Sequence, residues 1–240
     1  MCDFVVRYLR AVRKTDRYMN IVIIMIIVMI ASAIVQAGLN SRFNRYSRVR
    51  ASLTGAQAAE KMLRDNGIYD VQVQCVPGRL TDHYNPQTKI INLSESVYSK
   101  ASIAAVAVAA HETGHAIQHA MGYAPLRMRS ALVPVVNFCS NIMSWILLLG
   151  VLLFYSFPSI LWLGIGLFAV TTLFSFVTLP VEINASSRAV QWLEMSGICD
   201  FETAPMAKDA LRWAAYTYVI AALGSLATLL YYIGIARSRD

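Results

Sequence analysis

Residues 111–115 read His-Glu-Thr-Gly-His, a set of side chains whose spacing suits metal chemistry. Four residues advance a helix by about 40° beyond one turn, so His111 and His115 share a face. Two neutral imidazole nitrogens can then hold one zinc ion, with Glu112 beside it as general base for an attacking water. Zinc polarises both that water and a scissile carbonyl, so the pattern describes peptide-bond hydrolysis by zinc-activated water. The bland alternative is a helix with two surface His and a Glu. Against it, three of the four His lie within nine residues, and the preceding stretch, residues 101–110, reads Ala-Ser-Ile-Ala-Ala-Val-Ala-Val-Ala-Ala. A helix of that composition is packed on most sides, so its polar face needs a purpose.

A zinc ion that keeps one position for water needs a third protein ligand. His119 lies one helical step further on and is carried away from the ion. The class in which a third His folds back requires a Gly and then a ligand at the positions that Gln118 and Met121 occupy here, so it is excluded. His119 therefore reads as a packed or ligand-supporting residue, and His83, in Leu80-Thr-Asp-His-Tyr84, as a loop His. Apart from the terminal Asp240, the carboxylates that follow the long uncharged stretch are Glu182, Glu194, Asp200, Glu202 and Asp209. Glu182 stands apart because it follows Pro180 at the end of a long uncharged stretch. A carboxylate there is expensive unless paired or on a metal; the alternative is an interfacial Glu facing water.

The elements that must position these residues are set in an unusually apolar chain. Of 240 residues, 57% are hydrophobic and 15% charged, against about 25% charged in soluble proteins. This excludes a disordered chain, and the four Cys show no metal-like or disulfide-scaffold spacing. Residues 3–17 read as a basic amphipathic helix, with Arg7, Arg10, Lys14 and Arg17 on one face. The apolar run after it is too long for a secretory signal. Residues 18–38 form a first membrane span. Ser130 to Val181 holds 52 residues without a charge, which predicts a hairpin of spans near 133–155 and 159–179, turning at Ser156–Ser159. Pro180 then restarts or kinks the helix, residues 181–213 carry Glu182 and a connector, and residues 214–240 hold a fourth span and a basic tail.

Between the first span and the hairpin, residues 39–130 read as a small α+β unit. Thr54-Gly-Ala-Gln57 is a capping box and Gly67 a helix end, predicting a helix over 55–65. Val71–Val76 alternates as a strand does, and Lys89–Leu93 reads as a second strand. A helix over 101–119, ended by Gly122, carries the histidines.

His111–His115 together with Leu179-Pro-Val-Glu-Ile-Asn-Ala-Ser-Ser-Arg-Ala189 resembles the bacterial neutral zinc metallopeptidases of the YugP type. Leu80–Tyr84, Gly122-Tyr-Ala-Pro125 and Ala131-Leu-Val-Pro134 add to the likeness, which covers roughly residues 45–225. That group is a membrane protease family distantly similar to the HtpX-like membrane zincins. The resemblance implies one zinc ion held by His111, His115 and Glu182, with Glu112 as general base. It departs from the HtpX-like pattern Glu-x-x-Ala-Asp, because Ser186 stands where the Asp would orient a ligating His, and Asn184 is a candidate for a supporting role. Zincins also carry a peptide-holding edge strand before the metal helix, a place Lys89–Leu93 would fill; the alternative is an ordinary hairpin strand. Tyr216 and Tyr218, where the last helix enters the membrane, read as interfacial anchors, with donation to an oxyanion as the alternative.

If Glu182 meets His111, residues 39–132 and 181–213 share one side of the bilayer. Near the spans that side carries Arg42, Arg45, Arg48, Arg50, Arg127, Arg129, Arg188, Lys208 and Arg212; the other carries Arg7, Arg10, Arg13, Lys14, Arg17, Arg237 and Arg239. The positive-inside rule then leans to a cytoplasmic active site in a bacterial inner membrane. The expected protein is a mainly α, four-span membrane zinc endopeptidase, acting on protein or peptide substrates and serving membrane-protein quality control. No nucleic-acid module is present; self-association or a scaffold partner is left open. The rival in another class is a non-catalytic zinc-binding membrane scaffold. An intramembrane site-2 type protease fits poorly, because no span contains an Asp.

Overall fold

The computed structural model describes the backbone from Cys2 to Arg237 and the side chains from Val22 onward. The basic face expected over residues 3–17 and the tail residue Arg239 lie outside the described residues. The elements in chain order are α1 (Cys2–Tyr46), α2 (Gly55–Asp65), β1 (Gln72–Val76), β2 (His83–Asn85), β3 (Ile90–Ser94), α3 (Glu95–Tyr98), α4 (Ile103–Ala120), α5 (Ala124–Leu152), α6 (Pro158–Met195) and α7 (Ala204–Ala236).

Short-range chemistry sets most of the boundaries. Thr54 Oγ1 accepts the Gln57 N–H at 3.2 Å while Gln57 Oε1 accepts the Thr54 N–H at 2.9 Å, so α2 opens on the expected capping box. Ser102 Oγ caps α4 by accepting the Ala105 N–H at 3.3 Å. Gly67 and Gly122, at φ +70° and +64°, supply the left-handed residues that follow α2 and α4. Among the described residues, four helices are long and apolar enough to cross a membrane, including Ala124–Leu152, Pro158–Met195 and Ala204–Ala236.

Two expectations are corrected. Residues 83–85, expected in a loop, form the three-residue strand β2, which pairs antiparallel with β3, Tyr84 opposite Ile91. β1 pairs parallel on the other side, Gln72 opposite Ile90, so the order is β1-β3-β2. β3 is therefore central, with both backbone sides taken: of the two readings of Lys89–Leu93, the hairpin strand holds and the peptide-holding edge strand does not. Alternation reveals a strand but not its neighbours, and three residues are too few to show a period. At Pro180, expected to restart or kink the helix, α6 continues to Met195 with the proline inside it.

The contacts divide the chain into two units. One comprises the chain up to Ile34, Ala131–Phe176 and the chain from Val219. In it Gly150 lies so close to Leu161 that a Cβ would sit 2.6 Å from the Leu161 Cα. The other unit is Val35–Ser130 with Val177–Tyr218. Its core surrounds α4, whose Ile103, Val106 and six alanines pack with Met62, Ile91, Leu93, Val97 and Leu193, all nearly inaccessible. Arg42 stacks on Trp213, 3.9 Å from the ring centroid, and pairs with Asp209 at 2.9 Å, tying the end of α1 to the start of α7.

Candidate metal centre

Within the second unit, α4 presents His111 and His115 one turn apart, their ring centroids 4.8 Å from each other. α6 can reach them because position 114 is Gly: a Cβ there would meet the Ala185 carbonyl oxygen at 2.7 Å. Small residues on both helices, Ala110 on α4 and Ala185 and Ala189 on α6, are fully buried. The close approach delivers Glu182, which is only 2% exposed.

Glu182 Oε2 lies 3.2 Å from His111 Nε2 and 3.5 Å from His115 Nε2. Among the described residues this is the group of three that can hold a metal ion, all donor atoms falling within 4.8 Å of one another. Zinc–ligand bonds of about 2.0–2.1 Å at tetrahedral angles place neighbouring donors about 3.3–3.5 Å apart. The two carboxylate–imidazole separations lie close to that edge length and exceed the ~2.8 Å of a charge-assisted hydrogen bond. The donor set, two imidazoles and a carboxylate, suits zinc equally well.

The far ring nitrogens are also accounted for. Ser186 Oγ is 3.1 Å from His111 Nδ1, and Gln118 Oε1 is 3.0 Å from His115 Nδ1. Gln118 Nε2 donates to the Val181 carbonyl at 2.8 Å and to Asn184 Oδ1 at 3.0 Å. Its amide oxygen must therefore face His115, so Nδ1 of His115 carries the proton and Nε2 is free to ligate. Asn184 is in turn held by Arg188 Nε at 2.8 Å. Burial opposes a proton on His115, but the Glu182 carboxylate and the field of Glu112 outweigh it and raise its pKa in the metal-free protein.

Glu112 is buried at the same helix face, and its Oε2 accepts the Tyr84 N–H of β2 at 3.0 Å. His119 stands apart from the metal group and meets the Tyr84 hydroxyl at 2.8 Å. His83 is held at the surface by the Thr81 carbonyl and Asn92. Tyr216 packs edge-on against Trp213, whereas the Tyr218 hydroxyl lies in the neighbourhood of the Glu182 carboxylate.

The profile of the family described as "Putative neutral zinc metallopeptidase" matches residues 21–237. The chain belongs to this neutral zinc metallopeptidase family. A relative from Bacillus subtilis, "Putative membrane protease YugP", is 45% identical over 202 residues, covering 83% of this chain and 89% of its own. No solved structure matches. For this metallopeptidase family member, zinc is the implied metal, and the His111–His115–Glu182 group has the donors and spacing to receive it.

Sequence reasoning missed Gln118 and Arg129. Gln118 was legible as a buried-helix polar residue three positions beyond His115, one turn along the same face. Arg129, whose Nη1 lies 3.3 Å from Glu182 Oε1, gave only the signal of a charge at the start of an apolar helix.

Proposed function

We propose that this protein is a multi-pass bacterial inner-membrane zinc endopeptidase of the gluzincin type, with one zinc held by His111, His115 and Glu182. The observation that carries the reading is the convergence of these three donors within 4.8 Å of one another, with the buried Glu182 carboxylate 3.2 and 3.5 Å from the two imidazole nitrogens. When bound, the ion supplies Lewis-acid polarisation of a water and of the scissile carbonyl. Glu112 is the general base: it takes the proton of the attacking water and returns it to the departing amine. Ser186 and Gln118 hold the imidazoles in the tautomer that leaves Nε2 free. The four apolar helices support insertion in the bilayer, with the metal group just beyond the uncharged stretch that ends at Val181. The charge count around the spans supports a cytoplasmic site, and a substrate that is itself membrane-associated fits a role in membrane-protein quality control.

The test is metal content and turnover of the purified full-length protein on an unfolded membrane-protein substrate. Wild type should carry one equivalent of zinc and cleave, Glu112→Gln should keep the metal and lose turnover, and Glu182→Ala should lose the metal. Equal turnover by wild type and Glu112→Gln would end the mechanism. Metal without cleavage in wild type would leave a zinc-holding scaffold.

A further inference from the structure

Glu182 divides its two carboxylate oxygens between two sets of partners. Oε2 faces the two imidazole Nε2 atoms, at 3.2 and 3.5 Å. Oε1 pairs with the Arg129 guanidinium at 3.3 Å. We propose that Arg129 is a positioning residue that reserves one oxygen of Glu182 for the metal, so that the ion keeps a position open for water and substrate. This rests on the metal reading of the site.

A buried carboxylate beside a divalent ion tends to offer both oxygens, because each adds an attractive contact. Two-oxygen ligation would fill the open position that hydrolysis needs. In this site the second oxygen is already committed to a cation. Glu182 is 2% exposed, so water cannot take over the role of Arg129. Rotating Oε1 toward the metal would leave a guanidinium without its carboxylate, since Arg129 has no other acidic ion-pair partner among the described residues. An arginine in the second turn of an apolar helix is ordinarily an interfacial anchor with its head in water. Here the side chain is only 31% exposed and its head meets a buried carboxylate.

The test uses the full-length protein in detergent with Co2+ loaded in place of zinc, read by its visible absorption. Wild type should show the intense bands of a four-coordinate ion. In Arg129→Met those bands should weaken several-fold as the ion gains a second carboxylate oxygen, and Arg129→Lys, which keeps the charge, should restore them. Should Arg129→Met fail to fold, judged by its thermal melt, Arg129→Gln carries the same expectation. A folded Met or Gln variant that binds one Co2+ with the wild-type spectrum would overturn the role of Arg129 while leaving the metal site intact. Weak five-coordinate bands in wild type would overturn it as well. A wild type that binds no Co2+ would remove it together with the metal reading.

Discussion

The Ser186 hydroxyl sits 3.1 Å from Nδ1 of His111, across 75 residues of chain. It occupies the place where the HtpX-like pattern has an Asp, one turn beyond Glu182 on the same face of α6. With Nδ1–H donating to this hydroxyl, Nε2 is left for the metal, so the serine does by a neutral contact what a carboxylate does by a charged one. Ser186→Ala should therefore weaken zinc binding by about tenfold or more. Ser186→Asp should bind at least as tightly as wild type. Chelator competition measures both.

Gln118 connects three groups at once: His115, the Val181 carbonyl and Asn184. Gln118→Leu preserves volume but strands the buried ring N–H of His115, at a cost of about 1–3 kcal/mol. Thermal unfolding of the metal-free protein should show the loss, and zinc affinity should fall with it.

Gly114 is the point where α4 and α6 touch. Gly114→Ala would place a methyl 2.7 Å from the Ala185 carbonyl oxygen, backbone that cannot rotate aside. The helices must then separate, carrying Glu182 and Ser186 away from the imidazoles. The expected result is destabilisation of about 1–3 kcal/mol and metal content well below that of wild type. A variant with full zinc occupancy would show that α6 can yield without disturbing the ligands.

The raised pKa of His115 makes metal binding and protonation compete near neutrality. In the metal-free protein the protonated ring contributes stability that is fully present below the unfolded value, about 6.5, and is lost as pH rises through the higher folded value. Zinc must displace that proton. Its affinity should therefore fall more steeply between pH 7 and 6 than for an ordinary pair of exposed His, each about 6.5. Titration calorimetry in buffers of different ionisation enthalpy should detect proton release at pH 7; zero release would contradict the raised value.

What the sequence by itself determined is everything that depends on neighbours within about one helical turn. The capping box at Thr54, the helix ends at Gly67 and Gly122, the spacing of His111 and His115 and the long apolar runs are all local patterns. Each is enforced by backbone geometry or by the cost of exposing apolar surface. Glu182 was legible as unusual because a carboxylate just after 52 uncharged residues ending at Val181 needs a partner. Only the tertiary structure decided which partner that is. It set His111, His115, Arg129 and Tyr218 around Glu182, Ser186 against His111, and Gln118 between His115 and Asn184. It also placed β3 between β1 and β2, not at a peptide-holding edge. These pairings join positions dozens of residues apart, and they follow from packing that brings two helices together at one glycine. No periodicity along the chain encodes such an approach, because it depends on the fit of two surfaces to each other.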